Sequence, residues 1–226
     1  MRVHSSRDCV VASRLVRARQ LALAGIVGPV AFAAAAVIGA PFDDGYSHVH
    51  SFVSELAAEG SSARVLMTVG FFALGLCLVV FAWSVRVLRP AAGALALVIA
   101  LGGAGTLVAG TFSCDEGCPA KGHMSTHQEL HNASSVITFS SWIVAPLLAG
   151  WQLRYNKKLA RLSIAIGLFE LAVGIGLSSF SDRQPDDPVG LLQRVLLLAV
   201  GVWFVSMARD LRRTRVITNG FGVPTD

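Results

Sequence analysis

Charge is what this chain has least of. Only 15% of its 226 residues are Asp, Glu, Lys or Arg, and mean hydropathy is +0.61. A soluble domain carries about 25% charged residues, so a water-soluble fold is excluded. Disorder needs a polar composition and is excluded as well. Cysteine is scarce: Cys9, Cys77, Cys114 and Cys118 are too few for a disulfide-rich miniature. None of them forms a CxxC pair, which argues against a thiol–disulfide oxidoreductase, and one Cys pair is not by itself a structural zinc site. No linker, long repeat or low-complexity tract interrupts the chain.

What is there is apolar sequence gathered into membrane-length runs. A helical span needs about 20 mainly apolar residues. Six segments qualify, at 21–42, 65–85, 90–114, 132–153, 162–181 and 188–208. The first four carry no charge, the fifth only Glu170 and the sixth only Arg194. Spanning strands would be shorter and alternate in polarity, which these runs do not. The fold class is therefore all-α, a polytopic six-helix membrane bundle over 21–211, between a basic segment 1–20 and a tail 212–226. The first run is longer than the apolar core of a cleavable signal, so it reads as an uncleaved span.

Basic residues assign orientation. With the N-terminus in the cytoplasm, only Arg64, Lys121, Arg183 and Arg194 of the 19 Lys and Arg fall outside. Both termini are thus expected in the cytoplasm, with the protein in the cell (plasma or inner) membrane and the bilayer as its first partner. The net charge of +5 sits in juxtamembrane clusters and does not mark a nucleic-acid-binding face.

The polar chemistry collects on the opposite side. Segments 43–64, 115–131 and 182–187 hold ten of the 14 acidic residues and five of the six histidines. In the first, His48 and His50 share a face only if the stretch is extended. Its competing reading is a surface helix capped by Ser47, Ser51 or Ser54, with Phe52, Val53 and Leu56 in the membrane interface. In the second, His127 and His131 are four apart, a helical spacing that suits two imidazoles on one metal, and His123 extends it. Thr126 with Glu129 fits a capping box, which would leave His123 on the loop. Imidazoles hydrogen-bonded to water and headgroups are the non-metal alternative. Neutral imidazole suits zinc, copper and iron alike, so zinc is one candidate among several.

On this reading His50, His123, His127 and His131 are the candidate metal ligands. Ser54, Glu55 and Asp115 are candidate catalytic groups, with Asp115 or Glu129 as general base. Cys114 and Cys118, on the permissive side of the membrane, are expected to form a structural disulfide around Asp115, Glu116 and Gly117. Glu170 and Arg194 lie in spans joined by a short loop, at a vertical offset of about 8 Å. An internal ion pair, or a protonated Glu170 with Arg194 snorkelling outward, is the expected arrangement, and a proton or substrate path the functional alternative. A haem or quinone role ranks last, because no histidine falls within the six runs.

The Gly25-Ile26-Val27-Gly28-Pro29 opening, Ser54-Glu55-Leu56, the outer loop leading to His131, and Gly190-Leu191-Leu192-Gln193-Arg194 together resemble the DUF998 membrane-protein family over about residues 20–213. That resemblance implies the six-span architecture and carries no defined activity. A looser one, through Ser54, Asp115, His127 and His131, is to the alkaline-ceramidase-like membrane hydrolases, where histidine-held zinc activates water against a lipid amide. This chain departs from them in having six spans rather than seven, and its histidines in an outer loop rather than a late helix. Two functions follow as expectations. One is a metal-dependent hydrolase acting on a lipid or amphiphile, in which the metal lowers the pKa of its water to about 7. The other is a non-enzymatic transporter, envelope-assembly component or partner subunit.

Overall fold

A computed structural model describes residues 6–119, 121–180 and 184–213. Asp182, Arg183 and Arg215 lie outside the described residues. In lipid each backbone N–H and C=O must find its partner within the segment, so the apolar runs become helices. All regular structure among the described residues is helical. The basic N-terminal stretch is itself a helix, α1 (Ser6–Leu21), which turns at 22–23 into α2 (Ala24–Gly39). Then come α3 (Arg64–Leu88), α4 (Gly93–Thr111), α5 (Thr126–Gln152), α6 (Lys157–Ser178) and α7 (Val189–Arg213). Among the described residues six stretches are long and apolar enough to cross a membrane, the first being Val10–Phe42.

Helix α5 begins at Thr126 rather than near 132. The cap is Ser125, not Thr126: its Oγ accepts the Gln128 N–H at 3.1 Å. Asp115 in turn accepts the Ser125 N–H at 2.9 Å and the Ser125 hydroxyl. His127 and His131 therefore both sit on helix.

Each helix from α2 to α7 packs on its successor, and α7 returns to α2, closing a ring. Helices α3 and α4 approach closely at two glycines. A Cβ added to Gly75 would stand 2.8 Å from the Gly103 carbonyl oxygen, and one on Gly103 would stand 2.9 Å from that of Gly75. Small residues are what permit such contact between helices in lipid. Inside the ring Phe81, Trp203 and Phe204 are fully buried, with the Trp203 Nε1–H on Ser163 Oγ at 2.9 Å. Leu76, Ile175 and Leu198 stand exposed on the outer surface.

At the terminal face of the bundle, where α7 ends, Asp210 joins three elements. It pairs with Arg89 at 3.3 Å, accepts from Asn156 Nδ2 at 2.8 Å and meets the Tyr155 hydroxyl at 3.3 Å. The other end, the loop face, carries the connections 40–63, 112–125 and 179–188. The first of these departs most from the sequence reading. Val53–Ala57 is a short 3-10 turn folded into the mouth of the ring, with Val53 2% and Leu56 0% exposed. These residues do not lie in the membrane interface. They plug the bundle, because Leu56 and Val53 bury more apolar surface between helices than an interface would cover.

Candidate functional site

The plug is held from both flanks. Glu55 reaches back to accept the Phe52 N–H at 2.8 Å, the half of a capping box that a glutamate supplies. From α7, Gln193 Oε1 accepts the Val53 N–H at 2.6 Å. Arg194 Nη1 donates to the carbonyls of Ser51 (3.1 Å) and Gly190 (2.9 Å), and its Nη2 donates to the Tyr46 hydroxyl. Burial raises the pKa of the Tyr46 phenol, against the opposing effect of that guanidinium. The Leu191 N–H donates to the Val49 carbonyl at 2.9 Å. On the other flank, Cys114 and Cys118 are joined by a disulfide. Ser54 Oγ lies 3.5 Å from Cys118 Sγ, and the Ser54 carbonyl oxygen 3.4 Å from Cys114 Sγ.

Beneath the plug is a cavity of about 40 Å³. Ser54 forms part of its roof and Gln193 and Thr106 part of its walls. The largest polar contribution is a stripe on α5, His131, Ser135, Thr138 and Trp142, at successive spacings that keep one helical face. The lining includes no Asp, Glu, Lys or Arg.

His131 is 4% exposed, and its Nδ1 lies 3.0 Å from the Ala109 carbonyl oxygen and 2.9 Å from that of Phe112. These carbonyls end α4, where no intrahelical donor remains for them. Two acceptors on one nitrogen require that Nδ1 carry the proton, which leaves Nε2 as an acceptor. His131 thus caps α4 from a neighbouring helix. The Trp142 Nε1–H is buried with no partner.

The expected metal cluster is not assembled. His127 is exposed and meets the edge of Phe112 at 5.4 Å between ring centres, while His131 lies a turn deeper beneath the end of α4. Their shared stripe runs past the end of α4, so only the deeper ring is enclosed. His123 is exposed on the loop. His50 Nδ1 lies 3.2 Å from the Asp187 carbonyl oxygen. No three of His, Cys, Asp or Glu among the described residues group closely enough to hold a metal ion. Asp115 is near His127, but its carboxylate belongs to the start of α5. The bonds from Ser125 hold its pKa below the usual carboxylate value.

The expected ion pair is also absent. Arg194 is engaged by the plug, and both oxygens of Glu170 are buried with no hydrogen-bond partner. Helix offset fixed their depth but not the direction each faces around its helix. Sequence reasoning missed Gln128, Thr138, Trp142 and the role of Gln193. Gln128 is 0% exposed and anchors the disulfide loop: its Oε1 accepts the Asp115 N–H at 2.7 Å and its Nε2 donates to the Pro119 carbonyl at 2.9 Å. The signal that could have found the stripe was present, as polar residues at helical spacing within an otherwise apolar span.

Fold and site define a polytopic helical membrane protein with a small, uncharged and mainly apolar cavity, carrying a few polar groups, under a plug from the loop face. The chain belongs to the DUF998 family, described as protein of unknown function, whose family model matches residues 26–210. No curated protein and no solved structure matches it. The match includes Ser51, Val53, Gln193 and Arg194, and thus both sides of the contact that seats the plug.

Proposed function

We propose that this membrane protein is a non-enzymatic binding protein for a neutral amphiphile, whose head enters the cavity beneath the plug. One observation carries the reading: polar groups from the plug and from α4, α5 and α7 converge on a single cavity within an otherwise apolar bundle. Polar residues facing a bundle interior are costly in a membrane and mark substrate sites by default. The cavity as it stands has room for a few waters or one small polar group. Trp142 offers a donor and His131 an acceptor, while Ser54 and Thr138 can do either. With no charge in the lining, an alcohol or amide head fits and a phosphate or carboxylate does not.

A metal-activated hydrolase is supported less well. His131 has no second and third ligand grouped with it among the described residues, His127 is exposed, and Glu55 and Asp115 serve backbone N–H groups. The arginine-rich terminal end supports cytoplasmic termini in the plasma membrane, with the plug facing outward. The test is to purify the full chain in mild detergent, extract it with organic solvent and identify retained amphiphiles by mass spectrometry. A neutral amphiphile enriched with the natural chain and depleted from Trp142→Phe and Thr138→Val supports the reading. An extract that is the same for all three proteins overturns it.

A further inference from the structure

Where the end of α1 meets the end of α7, on the terminal face, an open groove of about 570 Å³ is lined by Val16, Arg19, Gln20, Arg209, Arg212 and Arg213. Four of the six are arginines and none is a carboxylate. The nearest acid in sequence, Asp210, is committed elsewhere, to Arg89, Asn156 and Tyr155. Arg19 has a fixed place. Its Nε and Nη2 donate to the Arg212 carbonyl at 3.0 and 2.7 Å. That satisfies a terminal carbonyl of α7 and sets a positive charge against the negative end of the helix. Arg209, Arg212 and Arg213 are exposed, and no ion pair among the described residues engages any of the four.

Four guanidinium groups around one opening repel each other until an anion enters. The planar fork of arginine matches the oxygens of a phosphate better than an ammonium does. The groove also adjoins membrane-facing surface, since Val16 on its wall and Val202 two turns along α7 are exposed apolar residues. We infer that this groove binds the phosphate of an anionic group, and specifically the headgroup of an anionic phospholipid in the adjoining leaflet. The lipid would bridge α1 and α7, reinforcing the single contact that Arg19 makes. This site is separate from the uncharged cavity at the opposite end and does not depend on what that cavity holds.

The experiment is native mass spectrometry of the full chain in neutral detergent, titrated in separate arms with phosphatidylglycerol and with phosphatidylcholine. Phosphatidylglycerol should bind more tightly, and raising the salt should weaken it, since surface charge interactions are screened. The triple variant R209Q/R212Q/R213Q should bind phosphatidylglycerol about a hundredfold more weakly, the weight of three charges at a membrane surface. Its thermal unfolding, followed by tryptophan fluorescence, shows whether it is folded. If it is not, the salt dependence of the natural chain and the comparison of the two lipids decide the matter. Equal binding of the two lipids, or binding indifferent to salt, overturns the site. A third arm adds inorganic phosphate to the lipid complex. No displacement supports the lipid, whereas displacement at concentrations equal to the lipid's overturns the lipid assignment in favour of a soluble phosphate.

Discussion

Gly190, in the first turn of α7, lies so close beneath Ser51 that the absence of a side chain is part of the contact. A Cβ there would collide with the Ser51 carbonyl oxygen and stand 2.9 Å from Arg194 Nη1 and 3.0 Å from the His48 carbonyl oxygen. Gly190→Ala should therefore lift the 46–53 loop, loosen Arg194 from Ser51 and cost about 1–3 kcal/mol, the usual penalty of overpacking. Gly176→Ala is the control. Nothing lies within 4 Å of the Cβ it would add, and alanine is the better helix former, so it should be neutral or slightly stabilising. Thermal unfolding in detergent compares the two, and an equal effect at both positions would remove the argument for a seated plug.

His131 and His127 should part company under mutation. His131→Leu leaves the Ala109 and Phe112 carbonyls without their donor, a loss of about 1–3 kcal/mol. His127→Ala removes an exposed ring and should change stability by no more than about 0.5 kcal/mol. If both histidines served one metal, the two losses would be similar and each would abolish a zinc-dependent rise in melting temperature. The geometry predicts different losses, with no such rise from added zinc in the natural chain.

The start of α5 carries a pH dependence of known sign. Asp115 has its pKa lowered in the folded protein, chiefly by the Ser125 hydroxyl bond and then by the Ser125 N–H. A group with a depressed folded pKa contributes stability that is complete above its unfolded value, near 3.9 for aspartate, and lost as pH falls through the folded one. Amide hydrogen exchange across 125–129 should therefore quicken as the pH drops below about 4, after correction for intrinsic rates. Asp115→Asn should show faster exchange at neutral pH and no further acid step. Ser125→Ala should cost about 1 kcal/mol through the lost cap. An acid step that persists in Asp115→Asn would assign the dependence to another group.

Span number and helical class were legible because lipid imposes a length, and runs such as 65–85 admit no other reading. The family was legible in Gly25-Ile26-Val27-Gly28-Pro29, Ser54-Glu55-Leu56, the loop leading to His131 and Gly190-Leu191-Leu192-Gln193-Arg194, and the last of these segments holds the plug through Ser51 and Val53. The plug itself was not. Val53 and Leu56 are as apolar as an interfacial helix would have them, and in a membrane the exterior of a bundle is as apolar as its interior, so pattern cannot tell the two apart. The histidine spacing was read correctly as helical. Whether a ring on that stripe meets a metal or a carbonyl depends on where α4 ends, which no local pattern states. The stripe from His131 to Trp142 is legible as polar residues at helical spacing within an apolar span.

Glu170 and Arg194 supply the sharpest test of the arrangement inside the ring. If they were partners, removing either would strand a buried charge at a cost of about 3–5 kcal/mol, and a double-mutant cycle would report strong coupling. Their surroundings argue otherwise. Glu170 has two buried oxygens without partners, so Glu170→Leu removes a burden and should leave the melting temperature unchanged or raise it. Arg194 donates to Ser51, Gly190 and Tyr46, so Arg194→Leu should lower it, through a stability loss of about 1–3 kcal/mol for the acceptors left unmet. The double variant should equal the sum of the single effects within about 0.5 kcal/mol, as expected for residues that share no partner. A coupling of several kcal/mol would restore the ion pair, and with it a seating of α6 against α7 different from the one described.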